Sequence, residues 1–232
     1  MRVNAIIVAA GEGKRMGAGA PKPLLLLAGK AILLHTLEAF AASSVGKAVV
    51  VVSARERPNF ERLLGAATMD RLQWRLENGG ARRQDSVACG LAAVDSDCEI
   101  VVVHDAVRPL VSPALIDRSV EAAAQHGAAT AGVPVADTIK VVSRERAIES
   151  TPPRDALWAI QTPQAFRVEL LRDAHRRAAS DRVEATDDAM LIERLGVKVV
   201  VVDGERRNLK ITTPEDLAYA EALLAQSGAK RS

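Results

Sequence analysis

Val3-Asn4-Ala5-Ile6-Ile7-Val8-Ala9-Ala10-Gly11-Glu12-Gly13-Lys14-Arg15-Met16-Gly17 begins as an apolar run and breaks directly into glycines. The run Val3 to Ala10 is nearly continuous rather than alternating, the pattern of a strand covered on both faces, as in a parallel sheet. Ala48 to Val52, Ile100 to His104, Ala128 to Val133 and Lys198 to Val202 repeat it. Between these runs the period changes to that of helices. Ile32 to Ala42 places Leu33, Leu37 and Phe40 on one face, and Ser112-Pro113 makes a capped start for a helix that Gly127 can close. Thr213-Pro214-Glu215-Asp216 predicts a further capped start, with acids well placed in its first turn. Strands alternating with helices predict a doubly wound, mainly parallel α/β sheet, with ligands expected beyond the carboxyl ends of the strands.

The chain has 232 residues, of which 48% are hydrophobic, enough for one sizeable core. We therefore expect a single domain over 1–232. With 31 basic and 29 acidic residues spread along the length and a net charge of +2, there is no nucleic-acid footprint or polybasic membrane tract. Three Phe, two Trp and one Tyr are too few for a base-stacking surface. Cys89 and Cys98 form neither a disulfide framework nor a close ligand pair, which points to reduced thiols and a cytoplasmic protein. No apolar run reaches the roughly 18 residues of a membrane span. One stretch breaks the rhythm: 136–162 carries scattered charge, Pro152-Pro153, Trp158 and no long periodic pattern. A segment of that length is usually functional or bound to a partner, so it is expected to protrude as an arm, in the form of a hairpin, onto a second subunit.

The glycines after the first strand let the backbone approach a ligand, and their N–H groups can cradle phosphates. The dinucleotide fingerprint fails because Met16 stands where its third glycine belongs, and the P-loop spacing fails as well. What remains is a glycine-rich loop with Lys14, Arg15 and Lys22, equipment suited to a triphosphate. His104-Asp105-Ala106-Val107-Arg108-Pro109 ends the most apolar strand. An aspartate there overlies the ligand crevice and can hold Mg²⁺ against phosphate oxygens, while Arg108 can clamp a second phosphate with its planar fork. His104 reads as a structural strand-end residue.

Ala9-Ala10-Gly11-x-Gly13-x-Arg15-Met16 with Pro21-Lys22 resembles sugar-nucleotide pyrophosphorylases and related nucleotidyltransferases. Gly79-Gly80 with Arg83, Asp85-Ser86-Val87, the Asp105 motif, Pro134, Asp137-Thr138-x-Lys140, Trp158, Gln161-Thr162-Pro163-Gln164, Thr186-Asp187 and Asn208-x-Lys210-Ile211-Thr212 narrow the resemblance. Together, in order over nearly the whole chain, they are similar to the 2-C-methyl-D-erythritol 4-phosphate cytidylyltransferase family. The resemblance implies a Rossmann-like nucleotidyltransferase fold and transfer of CMP from CTP, with Mg²⁺, in a homodimer. It implies that Ala9, Ala10, Gly11 and Gly13 cradle CTP together with Ala106, that Gly80, Asp85 and Ser86 hold the base, and that Arg15, Lys22 and Lys210 act on the phosphates. Asp105 is then the metal ligand. The sugar phosphate is met by Arg108 and Thr138 and, from the arm of a second subunit, by Arg154 and Thr162. Ala81-Arg82 departs from the acidic residues of some relatives. Two other readings stay open: a cytidylyltransferase for another polyol phosphate, such as ribitol 5-phosphate, and a nucleotide-binding regulator without catalysis.

Overall fold

In the computed structural model the described residues are 1–11, 21–67, 69 and 71–228. The chain runs β1 (Val3–Val8), a short 3-10 turn at Lys22–Leu24, β2 (Leu26–Leu27), β3 (Lys30–Ala31), α1 (Ile32–Ala41), β4 (Lys47–Val52), α2 (Arg57–Gly65), β5 (Gln73–Asn78) and α3 (Arg83–Ala93). It continues with β6 (Ile100–Asp105), α4 (Pro113–His126), β7 (Ala128–Pro134), β8 (Val141–Val142), β9 (Ile148–Ser150), β10 (Trp158–Arg167), α5 (Val168–Ser180), α6 (Asp188–Glu193), β11 (Val200–Asp203) and α7 (Pro214–Gly228).

Seven strands form one sheet in the order β11-β7-β10-β6-β1-β4-β5. All pairs are parallel except those of β10, which runs antiparallel to both β6 and β7. The strands are apolar throughout because both faces are covered. Ala5 and Ile7 of β1, Val50 and Val52 of β4 and Val102 of β6 pack with Leu33, Leu37 and Phe40 of α1, Phe60 of α2 and Leu115 and Val120 of α4. The intervening Ile6, Val49, Val51, Val101 and Val103 pack on the opposite face with Val87 and Leu91 of α3, Leu171 of α5 and Ile192 of α6. This is the doubly wound arrangement, and the strand order reverses between β6 and β1, where a crevice opens beyond the carboxyl ends. The predicted caps form as well: Ser112 accepts the Leu115 N–H at 3.1 Å, and Gly127 closes α4 at φ 90°. Among the described residues, no helix is long and apolar enough to cross a membrane.

Two strands of the seven-stranded sheet were not legible in the sequence. β5, Gln73-Trp74-Arg75-Leu76-Glu77-Asn78, is an edge strand bonded on one side to β4, so most of its side chains stay polar or half exposed. β10 takes in Trp158 to Thr162, which the sequence reading left at the end of the irregular segment. The ladder to β7 shifts register between Ile160 and Gln164, and this interruption accommodates Pro163, which lacks a ladder donor. Between β7 and β10 the chain forms the small hairpin β8–β9, with Val141 and Val142 on one strand and Ile148 on the other exposed.

Candidate active site

Four strand exits are held level at the crevice by backbone hydrogen bonds. Ala9 N–H reaches the Val51 carbonyl at 2.8 Å, Gly79 N–H the Val52 carbonyl at 2.8 Å, and Ala106 N–H the Val8 carbonyl at 3.1 Å. Gly79 is required by this packing, since a Cβ there would stand 2.8 Å from the Ala10 Cβ and 2.7 Å from Ser86 Oγ. A side chain on Gly80 would likewise collide with Asp85. The turn from β5 into α3 is thus pressed against Ala10, the residue before Gly11, leaving backbone groups rather than side chains to meet a ligand. Ser86 Oγ is turned inward, donating to the Arg82 carbonyl at 3.0 Å. Asp85 accepts the Arg82 backbone N–H at 3.2 Å and its guanidinium at 2.7 and 3.0 Å. The guanidinium bond holds the Asp85 carboxyl below its ordinary range. Asp85 therefore fastens the start of α3 through the unusual Arg82.

Asp105, the last residue of β6, is 7% exposed and is the centre of the site. Lys210 Nζ lies 2.8 Å from its Oδ2, Arg83 Nε 3.3 Å from its Oδ1 and Arg108 Nε 3.8 Å from Oδ2. Burial by itself would raise this carboxyl, but Lys210, Arg83 and Arg108 outweigh it and hold Asp105 well below the usual carboxylate range. Arg108, also largely buried, gives one Nη1 bond to the Asn208 carbonyl at 2.8 Å, while its Nε finds no hydrogen-bond acceptor among the described residues.

The backbone of Asp105 is fixed from β10. Its N–H donates to Thr162 Oγ1 at 3.1 Å, and the Thr162 hydroxyl donates to His104 Nδ1 at 3.1 Å. His104 Nε2–H then faces the Arg108 carbonyl at 3.2 Å. Burial pushes the His104 imidazole down to about 4, so the ring is neutral near pH 7 and serves as a spacer, packed on Phe40 with ring centroids 5.2 Å apart. Lys22, 8% exposed after Pro21, donates to the Thr212 carbonyl at 2.9 Å, two residues beyond Lys210. Ile211 N–H bonds to the Val107 carbonyl at 2.9 Å, which draws the Lys210 loop onto the Asp105 turn. That loop is clamped on its other side, where Asn208 Nδ2 donates to the Thr162 carbonyl at 2.8 Å and to Gln161 Oε1 at 3.1 Å.

Asp105, Arg108, Thr162 and Lys210 therefore meet in one place, with Ala106 next to Asp105 and Lys22 tied through Thr212 to the Lys210 loop, while Ala9, Ala10, Gly11, Gly80, Asp85 and Ser86 lie at the neighbouring strand exits. Gly13, Lys14 and Arg15 lie outside the described residues. Thr138 and Arg154 sit on the exposed arm, where Arg154 Nη1 donates to the Ala136 carbonyl of its own chain at 2.9 Å. Among the described residues, the charged partners of Asp105 are Arg83, Arg108 and Lys210, so the arm residues stand apart from this cluster in a single chain. Thr162 is occupied within its own chain, at 5% exposure. Sequence reasoning placed Arg83 in the Gly80 to Ser86 stretch given to the base, quoted Gln161, Gln164 and Asn208 only as motif residues, and passed over Asp188. A hint existed for Asp188, because Asp187 alone suffices to cap α6 and a second adjacent carboxylate needs its own partner.

A cation fits this site on its chemistry. Among the described residues no cluster of three or more acidic, His or Cys side chains could cage a metal. Mg²⁺ binds through one or two carboxylates together with substrate phosphates, so an ionised Asp105 beside Lys210, Arg83 and Arg108 could supply the protein's share of such a donor set.

The family model described as IspD: 2-C-methyl-D-erythritol 4-phosphate cytidylyltransferase matches residues 3–226. A protein of that name from Pelotomaculum thermopropionicum is 48% identical over 96% of this chain and 94% of its own length. Another from Thermosynechococcus vestitus is 48% identical over 96% and 95%. Among solved structures, the 4-diphosphocytidyl-2C-methyl-D-erythritol synthase of Anaerococcus prevotii superposes with a TM-score of 0.86 at 30% identity, covering 97% of this chain and 98% of that one. The 2-C-methyl-D-erythritol 4-phosphate cytidylyltransferase of Thermus thermophilus gives 0.79 at 38% identity, covering 97% and 100%.

Proposed function

We propose a mechanism from the premise that the chain belongs to the 2-C-methyl-D-erythritol 4-phosphate cytidylyltransferase family. It transfers CMP from CTP to 2-C-methyl-D-erythritol 4-phosphate, giving 4-diphosphocytidyl-2-C-methyl-D-erythritol and pyrophosphate. In the mechanism we propose, a phosphate oxygen of the acceptor attacks the α-phosphorus in line. The new O–P bond forms as the bond to the bridging oxygen of pyrophosphate breaks. A phosphate monoester has a second pKa of about 6, so the nucleophile is already ionised at neutral pH and no general base is needed. The neutral, buried His104 accords with that.

The barrier is then the approach of one anion to another. Lys210 and Lys22, with Arg15 from the glycine loop, are proposed to neutralise the charge that builds on the transferring phosphoryl group. Asp105 would hold a divalent cation, Mg²⁺ in our reading, which when bound neutralises phosphate charge. The exits at Ala9, Ala10, Gly11, Gly80 and Ala106, with Gly13, are assigned to CTP, and Asp85 and Ser86 to shaping the base-side turn. Arg108 is assigned to the acceptor phosphate, and Thr162 to holding Asp105. The observation that carries this reading is the cluster of Lys210, Arg83 and Arg108 around one buried carboxylate at the switch point. The test is incubation with each nucleoside triphosphate and each candidate acceptor, with pyrophosphate as readout. CTP with methylerythritol phosphate is expected to outpace every other pair, and preference for ribitol 5-phosphate would overturn the acceptor assignment.

We further propose that the chain is one nucleotidyltransferase domain whose arm pairs two copies, in the cytoplasm. Ile139, Val141, Val142, Ile148, Trp158 and Ile160 are all at least 37% exposed, an apolar surface on and beside the hairpin that suits burial against a second subunit. Thr138 and Arg154 would then reach the neighbour's acceptor. Mixing inactive Arg154→Ala with inactive Lys22→Met subunits is expected to restore part of the activity in hybrid dimers. No recovery under conditions that exchange subunits would count against a shared site.

A further inference from the structure

Asp188 is 1% exposed and charged, on the first turn of α6, and no step of the proposed mechanism uses it. One of its oxygens accepts Arg83 Nη1 at 2.7 Å and the other faces His175 Nε2 at 3.0 Å. The same Arg83 reaches Oδ1 of Asp105 with its Nε at 3.3 Å. The guanidinium thus bridges two buried carboxylates, one at the reactive centre and one behind it.

The two cations nearest Asp105 differ in freedom. Lys210 is a single ammonium on a flexible stem, its side chain 43% exposed, and it sits on Oδ2. Arg83 cannot leave Oδ1 without disturbing its bond to Asp188, a carboxylate buried from solvent. We infer that Asp188 is a positioning residue for the transfer reaction: by gripping Arg83 it holds Oδ1 of Asp105 in place, so that the carboxylate, through the side facing the freer Lys210, would be the group available to a divalent cation. This rests on the reading of Asp105 given above.

What fixes Asp188 is β10. Gln164 Oε1 accepts the N–H groups of Asp188 and Ala189 at 3.1 and 3.3 Å. Its Nε2 donates to Thr130 Oγ1 at 3.1 Å and to Asp187 at 2.8 Å, and Asp187 caps the Met190 N–H at 3.0 Å. The antiparallel strand therefore sets Asp105 twice: through Thr162 to its backbone, and through Gln164, α6, Asp188 and Arg83 to its side chain.

Asp188→Asn keeps the shape and an oxygen for Arg83 but removes the charge that anchors it. The dissociation constant for CTP with Mg²⁺, measured by calorimetry, is expected to rise and turnover to fall, each by about tenfold, the lower end of what outer partners of a metal ligand carry. Arg83→Lys keeps a cation that cannot span both carboxylates, and should reproduce the loss. In the double variant the effects are expected not to add, because both act through one guanidinium. A merely structural Asp188 would lower the melting temperature while leaving CTP affinity, turnover and the ligand-induced rise in melting temperature unchanged. That result, or additive effects, would overturn the inference; should Asp188→Asn fail to fold, wild-type behaviour of Arg83→Lys would do the same. Full activity of Lys210→Met would instead defeat the reading of the site itself.

Discussion

Lys210→Met is expected to lower steady-state pyrophosphate release by about 10²–10³, the cost of losing one donor to a charged transition state. The fold should hardly register the change. Lys210 Nζ is 2.8 Å from Asp105, but its side chain is 43% exposed, and partly exposed pairs contribute at most about 1 kcal/mol. Arg83 and Arg108 remain beside Asp105, so the carboxylate is not stranded. The loss is thus expected in turnover, with the urea midpoint close to wild type. Release of pyrophosphate at a near-wild-type rate by a folded variant would remove Lys210 from the mechanism.

Asp105→Asn should have both effects at once. The amide cannot anchor a cation as the carboxylate does, and three positive groups gathered by one charge lose their common partner. Turnover is expected to fall at least as far as in Lys210→Met. Removing one member of a buried ion pair costs about 3–5 kcal/mol, and the lower end applies here because Lys210 can turn to water and Arg83 keeps Asp188. The pH dependence supplies a second test. Asp105 is held below its unfolded value, so its contribution is present above the unfolded carboxylate pKa of about 4 and disappears as pH falls through the folded value. Asp188 and Asp85 are depressed as well and act in both proteins, so the difference between the two curves isolates Asp105. That difference, from urea midpoints, should be large at neutral pH and shrink in acid. A variant as stable as wild type at pH 7 would mean that the cluster is not coupled.

Much of this was written in short stretches of chain. Val3 to Ala10 and Ile100 to His104 carry unbroken apolar runs because both faces of the sheet are covered, and Asp105 is conspicuous because it ends such a run. Ser112 and Gly127 mark the bounds of α4 through purely local hydrogen bonding and backbone conformation. β10 was obscured by Pro163, and the edge strand β5 by its polar residues. Arg83 was quoted as part of a motif, yet neither of its partners could be inferred: Asp105 is 22 positions away and Asp188 is 105.

By itself the sequence determined the layering of the sheet, the glycine that closes α4 and the placing of one aspartate at the crevice. These depend on periodicity, φ freedom and strand ends, which act over a few residues. The tertiary structure alone decided that β10, the second-last strand of the sheet in chain order, runs antiparallel, that Thr162 and Gln164 on it hold Asp105, and that Arg83 is shared with a buried Asp188. Those arrangements follow from which buried charges find one another once water is excluded, and the distances along the chain leave no periodic trace of that choice.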